Sequence, residues 1–383
     1  MAHHNTVFSQ ILKFVPRHEF ESLAREHHRG RSLRKMTRWS QFVSLGLAQL
    51  AGRVSLRDVV SNLTAQVQKL YHLGAAVATR SSLARVNEQQ PYDLYEALFG
   101  KLLARCQSVS PKHRFRFKNK LYSLDASTID LCLSVFPWAD FRTTKGAIKL
   151  HVGLDHDGYL PTFLAITEGR VHEVNLARTL TLPKSSIVVF DRGYTDYTWY
   201  NHLNSQGVYF VTRQRRNACY RVIERHPIPA GTSVTSDQTI QLTGTKAACY
   251  AGTLRRIGYR DPETGKHYVF LTNNVHLSAR TIAAIYKERW QIELFFKWIK
   301  QNLKIKTFLG TSRNAVLTQI WVAMCMYLLI AYLQFMSQLG LGMQQILRLL
   351  QLNLFERRDL MALLRGDPPE PTASPLQTRL RFA

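Results

Sequence analysis

Tyr286 to Lys300 reads YKERWQIELFFKWIK, with no Gly or Pro, and its spacing predicts one continuous helix. At roughly 100° per residue, Tyr286, Arg289, Glu293 and Lys300 fall within an arc of about 60°, with Lys297 and Lys304 at its border. The remaining faces carry Ile285, Trp290, Ile292, Leu294, Phe295, Phe296, Trp298, Ile299 and Leu303. A helix apolar nearly all round is a buried one. Its single polar stripe then faces a cleft, where Glu293 is a hard oxygen ligand for Mg²⁺ and Arg289 and Lys300 hold phosphates. The competing reading is structural: Arg289, Glu293 and Lys297 form an i,i+4 ion-pair ladder on a solvated face.

A metal site needs further carboxylates, and two stand at predicted strand ends. Lys118 to Thr128 (KNKLYSLDAST) alternates through Leu121, Tyr122 and Leu124 and brings Asp125 near the end of a strand. Ile187 to Phe190 (IVVF) is a short apolar strand followed at once by Asp191, at the sheet edge where open α/β folds place their sites. By type alone, a lone strand-end aspartate is more often a turn or cap residue. Asp130, Asp140, Asp155, Asp157 and Glu173 are rival carboxylates, and His172-Glu173 is a secondary candidate for a contribution near the site. The chain contains no G-x-x-x-x-G-K-[ST] for a Walker strand, and neither aspartate begins the D-x-D of a phosphatase.

Charge points to the partner. The 383 residues carry 51 Lys+Arg against 26 Asp+Glu, a formal net charge of +25. Such an excess meets a polyanion, with nucleic acid ahead of an anionic membrane surface. Five scattered cysteines without a C-x-x-C exclude a zinc ribbon and a disulfide framework. The N-terminus has no signal-like apolar core, and the most apolar run, Ile320 to Leu333, is shorter than the roughly 20 residues a membrane span needs. A bacterial cytoplasmic, nucleoid-associated protein without a membrane partner is expected.

The elements that carry these residues divide into six segments. Residues 1–75 read as an all-helical DNA-binding domain of helix-turn-helix kind, broken at Pro16 and capped at Thr37 and Ser55. Its basic run contains Arg29, Arg31, Arg34, Lys35 and Arg38, which are candidate phosphate contacts. Residues 76–115 form a helical connector. In residues 116–212, strands through Asp125, Lys149–Leu154 and Tyr159–Ile166 form an antiparallel meander with a turn at Asp155–Gly158. Residues 213–268 read as a glycine-punctuated, arginine-rich β-subdomain, and residues 269–335 return to the sheet, with Ala315–Leu333 as a core helix behind the signature helix. Residues 336–383 hold a further helix and a Pro-rich, disordered tail.

The spacing Tyr286-x2-Arg289-x3-Glu293-x6-Lys300 resembles the signature of the DDE transposases of bacterial insertion sequences, in the insertion-sequence-4 class. The resemblance covers residues 118 to 310 well, and the N-terminal segment resembles more loosely the small domain that precedes some of these transposases. It implies an α/β fold with a ribonuclease H-like core interrupted by a β-rich insertion. It selects Asp125, Asp191 and Glu293 as catalytic, metal-binding acids, separated by 66 and 102 residues. It further implies two Mg²⁺ ions, with Mn²⁺ substituting, and phosphate contacts by Tyr286, Arg289 and Lys300, to which Lys297 and Arg192 are added. The implied activity is hydrolysis at element ends and joining of the 3′-OH to target DNA, by a dimer or higher oligomer on double-stranded DNA. The resemblance further implies that a flipped base stacks on an aromatic, a Trp in the best-known relative. The insertion here has no Trp, leaving Tyr220, Tyr250 or Tyr259 for that role. The alternatives are a stand-alone nuclease of the same fold and a transposase-derived DNA-binding protein without activity.

Overall fold

The computed structural model describes residues 5–34, 36–142, 145–228 and 230–369, without the side chains of 140–142 and 145. Lys35 and most of the Pro-rich tail therefore lie outside the described residues. The chain forms two compact units, one of residues 1–102, 308–310 and 314–383 and the other of residues 103–307 and 311–313.

The first unit is helical. It holds α1 (Val7–Leu12), α2 (Arg17–Glu26), α3 (Arg38–Leu50), α4 (Leu56–Ala65), α5 (Val67–Leu70) and α6 (Arg80–Gln89). The predicted caps are in place: Thr37 accepts from the Ser40 amide and Ser55 from the Asp58 amide. Every residue of α3 is buried, and its Trp39 and Phe42 pack against Phe20, with Phe42 stacked on Tyr95. A long helix, α7 (Asp93–Val109), runs from this unit into the next.

The second unit is organised on one ten-stranded mixed sheet. Its strands are β1 (Leu121–Leu131), β2 (Asp140–Arg142), β3 (Lys145–Asp155), β4 (Leu160–Glu168), β5 (Ile187–Phe190), β6 (Tyr209–Arg213), β7 (Tyr220–Arg225), β8 (Val234–Leu242), β9 (Thr253–Arg260) and β10 (His267–Thr272). The order is β2-β3-β1-β5-β6-β10-β9-β8-β7, with β4 on β3. The expected meander is present as β1, β3 and β4, and β5 and β6 continue it in parallel with β1. This is the ribonuclease H-like core. The arginine-rich insertion is β-structured, as its composition implies, and its strands join that same sheet through the antiparallel pair β6–β10.

Alternation sends successive residues of a strand to opposite faces, and each face has its own core. Tyr122, Leu124, Val188, Phe190 and Phe210 pack with Trp199, Tyr200 and Leu203 of α9 (Tyr197–Ser205), which follows the short α8 (Glu173–Ala177). Leu121, Ile187, Val189 and Val211 pack with Ile282, Ala283 and Ile285 of α10 (Ala279–Glu288), capped by Ser278.

The predicted continuous helix is two helices, α10 and α11 (Trp290–Asn302). Arg289 lies between them at φ −52°, ψ −28°, close to 3₁₀ values. The Arg289 amide bonds to the Tyr286 carbonyl, and the Ile292 amide bonds to that of Arg289. The turn tightens locally without Gly or Pro. Nor is α11 apolar because it is buried all round: Trp290 is 56 % and Leu294 42 % exposed.

The apolar run near the C-terminus extends into a helix of 25 residues, α12 (Arg313–Ser337), which groups with the N-terminal helices rather than with the sheet. It is long and apolar enough to cross a membrane, yet its apolar window is 94 % buried inside the protein. The last elements of the helical unit are α13 (Met343–Asn353) and α14 (Leu360–Arg365), and the amides of Val7 and Phe8 bond to the Glu356 and Leu354 carbonyls.

Candidate active site

Asp125 and Asp191 are brought together by strand register. Parallel β1 and β5 pair Leu121 with Ile187 and end at Leu124 with Phe190. The next residue on each strand is the aspartate. Neighbouring strands run roughly 4.8 Å apart, so the two acids start side by side on one sheet edge. Asp125 is not at the end of its own strand, because β1 continues to Leu131 beside β3 alone. It is at the end of the parallel pairing, which is the edge that matters.

The α10–α11 corner meets β1 at every second residue. Ser123 bonds to His156 Nε2 at 2.7 Å, and His156 Nδ1 lies 4.0 Å from Glu288. Asp125 Oδ2 is 3.5 Å from Arg289 Nη1, and Arg289 Nη2 donates to Glu293 Oε1 at 2.6 Å. Lys300 Nζ donates to Ser127 Oγ at 2.6 Å and to the Thr128 carbonyl at 3.0 Å. One guanidinium thus bridges the first and third acids. The stripe meets β1, where Arg289 and Lys300 reach Asp125 and Ser127, and the ladder expected on a solvated face is realised in part as the same Arg289–Glu293 pair.

Burial dominates the electrostatics. It raises the Asp125 carboxyl to about 6, against the Ala126 amide and Arg289, with Asp191 and Glu173 adding to the rise. Burial also raises Tyr194, and Asp125, Glu173 and Asp191 push it further. Lys300 is lowered, first by burial and then by Lys306. Tyr286 is raised by burial, opposed by Arg289 and Arg213; its ring packs on Phe270 at 4.9 Å.

Asp191 is fixed by its own turn. Its Oδ1 accepts from the Gly193 amide at 2.6 Å, and a Cβ at position 193 would stand 2.8 Å from that oxygen. Only glycine leaves the carboxylate where it is.

Tyr194, which the sequence reading did not name, enters the site together with Glu173, named there only as a rival acid. Tyr194 is 3 % exposed and lines a crevice with Asp125, His151 and Glu173. Glu173 is held by Lys149 at 3.5 Å, and burial lowers His151 to about 4, so it is neutral at pH 7. The dipeptide His172-Glu173 was the one available signal. Two rival acids are consumed structurally: Asp155 and Asp157 are buried, and Lys120 reaches both at 2.7 Å. Burial works to raise Asp157, but Lys120, the His113 amide and Lys112 outweigh it and hold it at about 2.

The cationic candidates separate by exposure. Arg192 and Lys297 are exposed beside the acids. Arg29, Arg31 and Arg34 line a cavity of about 900 Å³ in the helical unit, together with Arg85. Arg38 does not join them. It is 5 % exposed, donates to the Pro91 carbonyl at 2.6 Å and sits over Tyr95, so it is a core residue and unavailable to a phosphate. The three candidate stacking tyrosines are also engaged. Tyr250 is 2 % exposed in the core, Arg256 lies over Tyr220, and Tyr259 packs toward Phe270.

The donor set suits a hard divalent cation, being carboxylate oxygens on two adjacent strands and one facing helix. Among the described residues, no three acidic, His or Cys side chains are placed to share an ion. Arg289 supplies the positive charge between Asp125 and Glu293 instead.

Residues 116–329 match the family described as "Transposase DDE domain", and residues 3–76 match a domain family of unknown function, DUF4372. The chain is 32 % identical to a putative transposase, y4zB, of Sinorhizobium fredii, over 76 % of this chain and 81 % of that relative. It is 30 % identical to a probable transposase for insertion sequence element IS5377 of Geobacillus stearothermophilus, over 66 % of this chain and 67 % of that one. Among solved structures it is similar to a piggyBac transposase synaptic complex with hairpin DNA, at a TM-score of 0.43 and 11 % identity, covering 97 % and 82 % of the two chains.

Proposed function

The chain belongs to the transposase DDE-domain family and is a DNA transposase, an enzyme of DNA cleavage and strand transfer, and from that premise we propose that Asp125, Asp191 and Glu293 are its catalytic acids. The observation that carries this reading is the shared register of Asp125 and Asp191, with Glu293 reached from Asp125 through one guanidinium. The family uses a divalent metal. Here the three acids would hold it, as two Mg²⁺ with Mn²⁺ substituting, and the bound metal supplies charge neutralisation and an activated water.

This chain's residues do the rest. Asp191 is kept aimed by the Gly193 amide. Lys300, tied to β1 at Ser127 and Thr128, presents a cation beside the acids to a phosphate oxygen. Arg289 sets its positive charge against Asp125 and Glu293 and is a guanidinium suited to a substrate phosphate. Tyr286, Lys297 and Arg192 add contacts to DNA. The substrates are double-stranded element ends, cut to free a 3′-OH, and the target DNA that this hydroxyl attacks. The helical residues 1–75 recognise the ends through Arg29, Arg31 and Arg34, residues 76–115 connect, and residues 213–268 act as a DNA clamp inserted between core segments 116–212 and 269–335. The active assembly is a dimer or higher oligomer in the bacterial cytoplasm, on the nucleoid.

The test is an end-cleavage and joining assay on duplexes carrying the DNA that flanks the gene, with Mg²⁺, with EDTA, and with Asp191→Ala. Mg²⁺-dependent cutting and joined product, both absent in the variant, is the expected result. Cutting without joining would leave a nuclease, and binding without cutting under any divalent metal would remove the roles given to the acids.

A further inference from the structure

A second cleft opens beside the acids, on the far side of the turn that follows Asp191. It has a volume of about 390 Å³ and is walled by the start of α9, the β6–β7 loop and the β8–β9 loop. Thr195, Arg215, Asn217, Thr243, Thr245 and Lys246 line it. We propose that this cleft grips the sugar–phosphate backbone of the DNA, away from the scissile phosphate. The inference rests on the transposase reading and deepens it, placing a backbone contact of the clamp at one cleft.

The lining is hydroxyl, amide and cationic, the donor set that phosphate oxygens take from proteins. The Lys246 ammonium makes no hydrogen bond or ion pair among the described residues, and its side chain is exposed. Arg215 spends only its Nε, on the Arg192 carbonyl at 3.3 Å. Its other guanidinium nitrogens are free among those residues. The one carboxylate in the wall, Asp196, is already neutralised: Arg178 pairs with its Oδ2 at 2.5 Å, and its Oδ1 caps α9 by accepting from the Trp199 amide. The cleft is therefore net positive. Tyr197, its one aromatic, is engaged edge-on with Tyr200, which favours backbone over base contact. The Arg215–Arg192 bond also joins the cleft to the turn that aims Asp191, so a strand lying on the acids has a short path into it.

Two exposed thiols, Cys219 and Cys249, line the same cleft and make it testable without relying on activity. Alkylation by N-ethylmaleimide would be followed at each cysteine by mass spectrometry, with and without duplex DNA carrying the gene-flanking sequences. With free duplex about ten times above its Kd, both thiols should react about tenfold more slowly. Lys246→Ala, at an exposed position, should lower the salt slope of binding by about one. A complex that forms and is cut, but leaves both thiols reacting at the free rate and the slope unchanged, overturns the cleft while the transposase reading stands. Protection by inorganic phosphate or dAMP but not by duplex would overturn it as well, leaving a small-anion site. No complex at any salt would remove the DNA-binding reading and the cleft with it.

Discussion

Asp125→Asn should abolish metal-dependent cleavage and at the same time stabilise the metal-free protein at alkaline pH. Burial raises the Asp125 carboxyl from 3.8 to about 6. At roughly 1.4 kcal/mol per factor of ten, that difference amounts to about 3 kcal/mol. The sign follows from proton counts. Below pH 4 both folded and unfolded chains keep the proton and no penalty arises. Between pH 4 and 6 the unfolded chain releases it while the folded chain retains it, so stability falls, and above pH 6 the full loss has accrued. Asparagine carries no such loss. It does leave Arg289 with Glu293 alone, at a cost of about 1 kcal/mol, so the net gain at pH 8 is about 2 kcal/mol. For a sheet unit of this size that is roughly 4–8 °C in Tm. The assay is thermal unfolding in EDTA at pH 4.5 and 8, repeated with Mg²⁺. Wild type should gain stability from Mg²⁺ at pH 8 and the variant should not. A variant equally destabilised at both pH values would refute the burial cost and, with it, the account of why Asp125 needs a counter-charge.

Gly193→Ala should reduce cleavage by about tenfold or more, since displacing an acid by a fraction of an ångström is felt in the barrier, with Tm unchanged because position 193 is exposed. Arg38→Leu should destabilise the helical unit by about 2 kcal/mol through its lost buried contacts and leave the salt slope of DNA binding alone, as read by chemical denaturation and fluorescence anisotropy. Arg31→Ala should do the converse, lowering that slope by about one without moving Tm. Glu288→Leu should cost about 2 kcal/mol, because it strips partners from Arg114 and the Tyr159 hydroxyl; equal stability would mean that the buried Ser123–His156–Glu288 chain does not anchor the corner.

What could be read in advance was whatever local chemistry decides. Thr37, Ser55 and Ser278 cap where short polar side chains precede apolar periodicity, and Ile187–Phe190 is a central strand because four consecutive apolar residues suit burial on both faces. What could not be read was decided by tertiary partners. Arg289 breaks the helix with no Gly or Pro to announce it, and in that position it reaches both Asp125 and Glu293. Arg38 belongs to a basic run by composition, yet its guanidinium is turned inward by the Pro91 carbonyl and the Tyr95 ring. Trp290 and Leu294 look like core by residue type and stand exposed. Tyr194 and Glu173 join the acids only because the β5 turn and α8 meet there, a fact of topology rather than spacing.

The unbroken order from β1 through β5 and β6 to β10, β9, β8 and β7 has a mechanical consequence. An appendage on a flexible neck can swing and let its cargo drift, whereas strands laddered into one sheet bend together as a plate. Whatever the insertion holds is thereby held to the same frame as Asp125 and Asp191. Tension along a bound strand would travel through hydrogen bonds from β8 and β9 to β6 and β5, and the sheet would act as a ruler that fixes the distance from grip to cut.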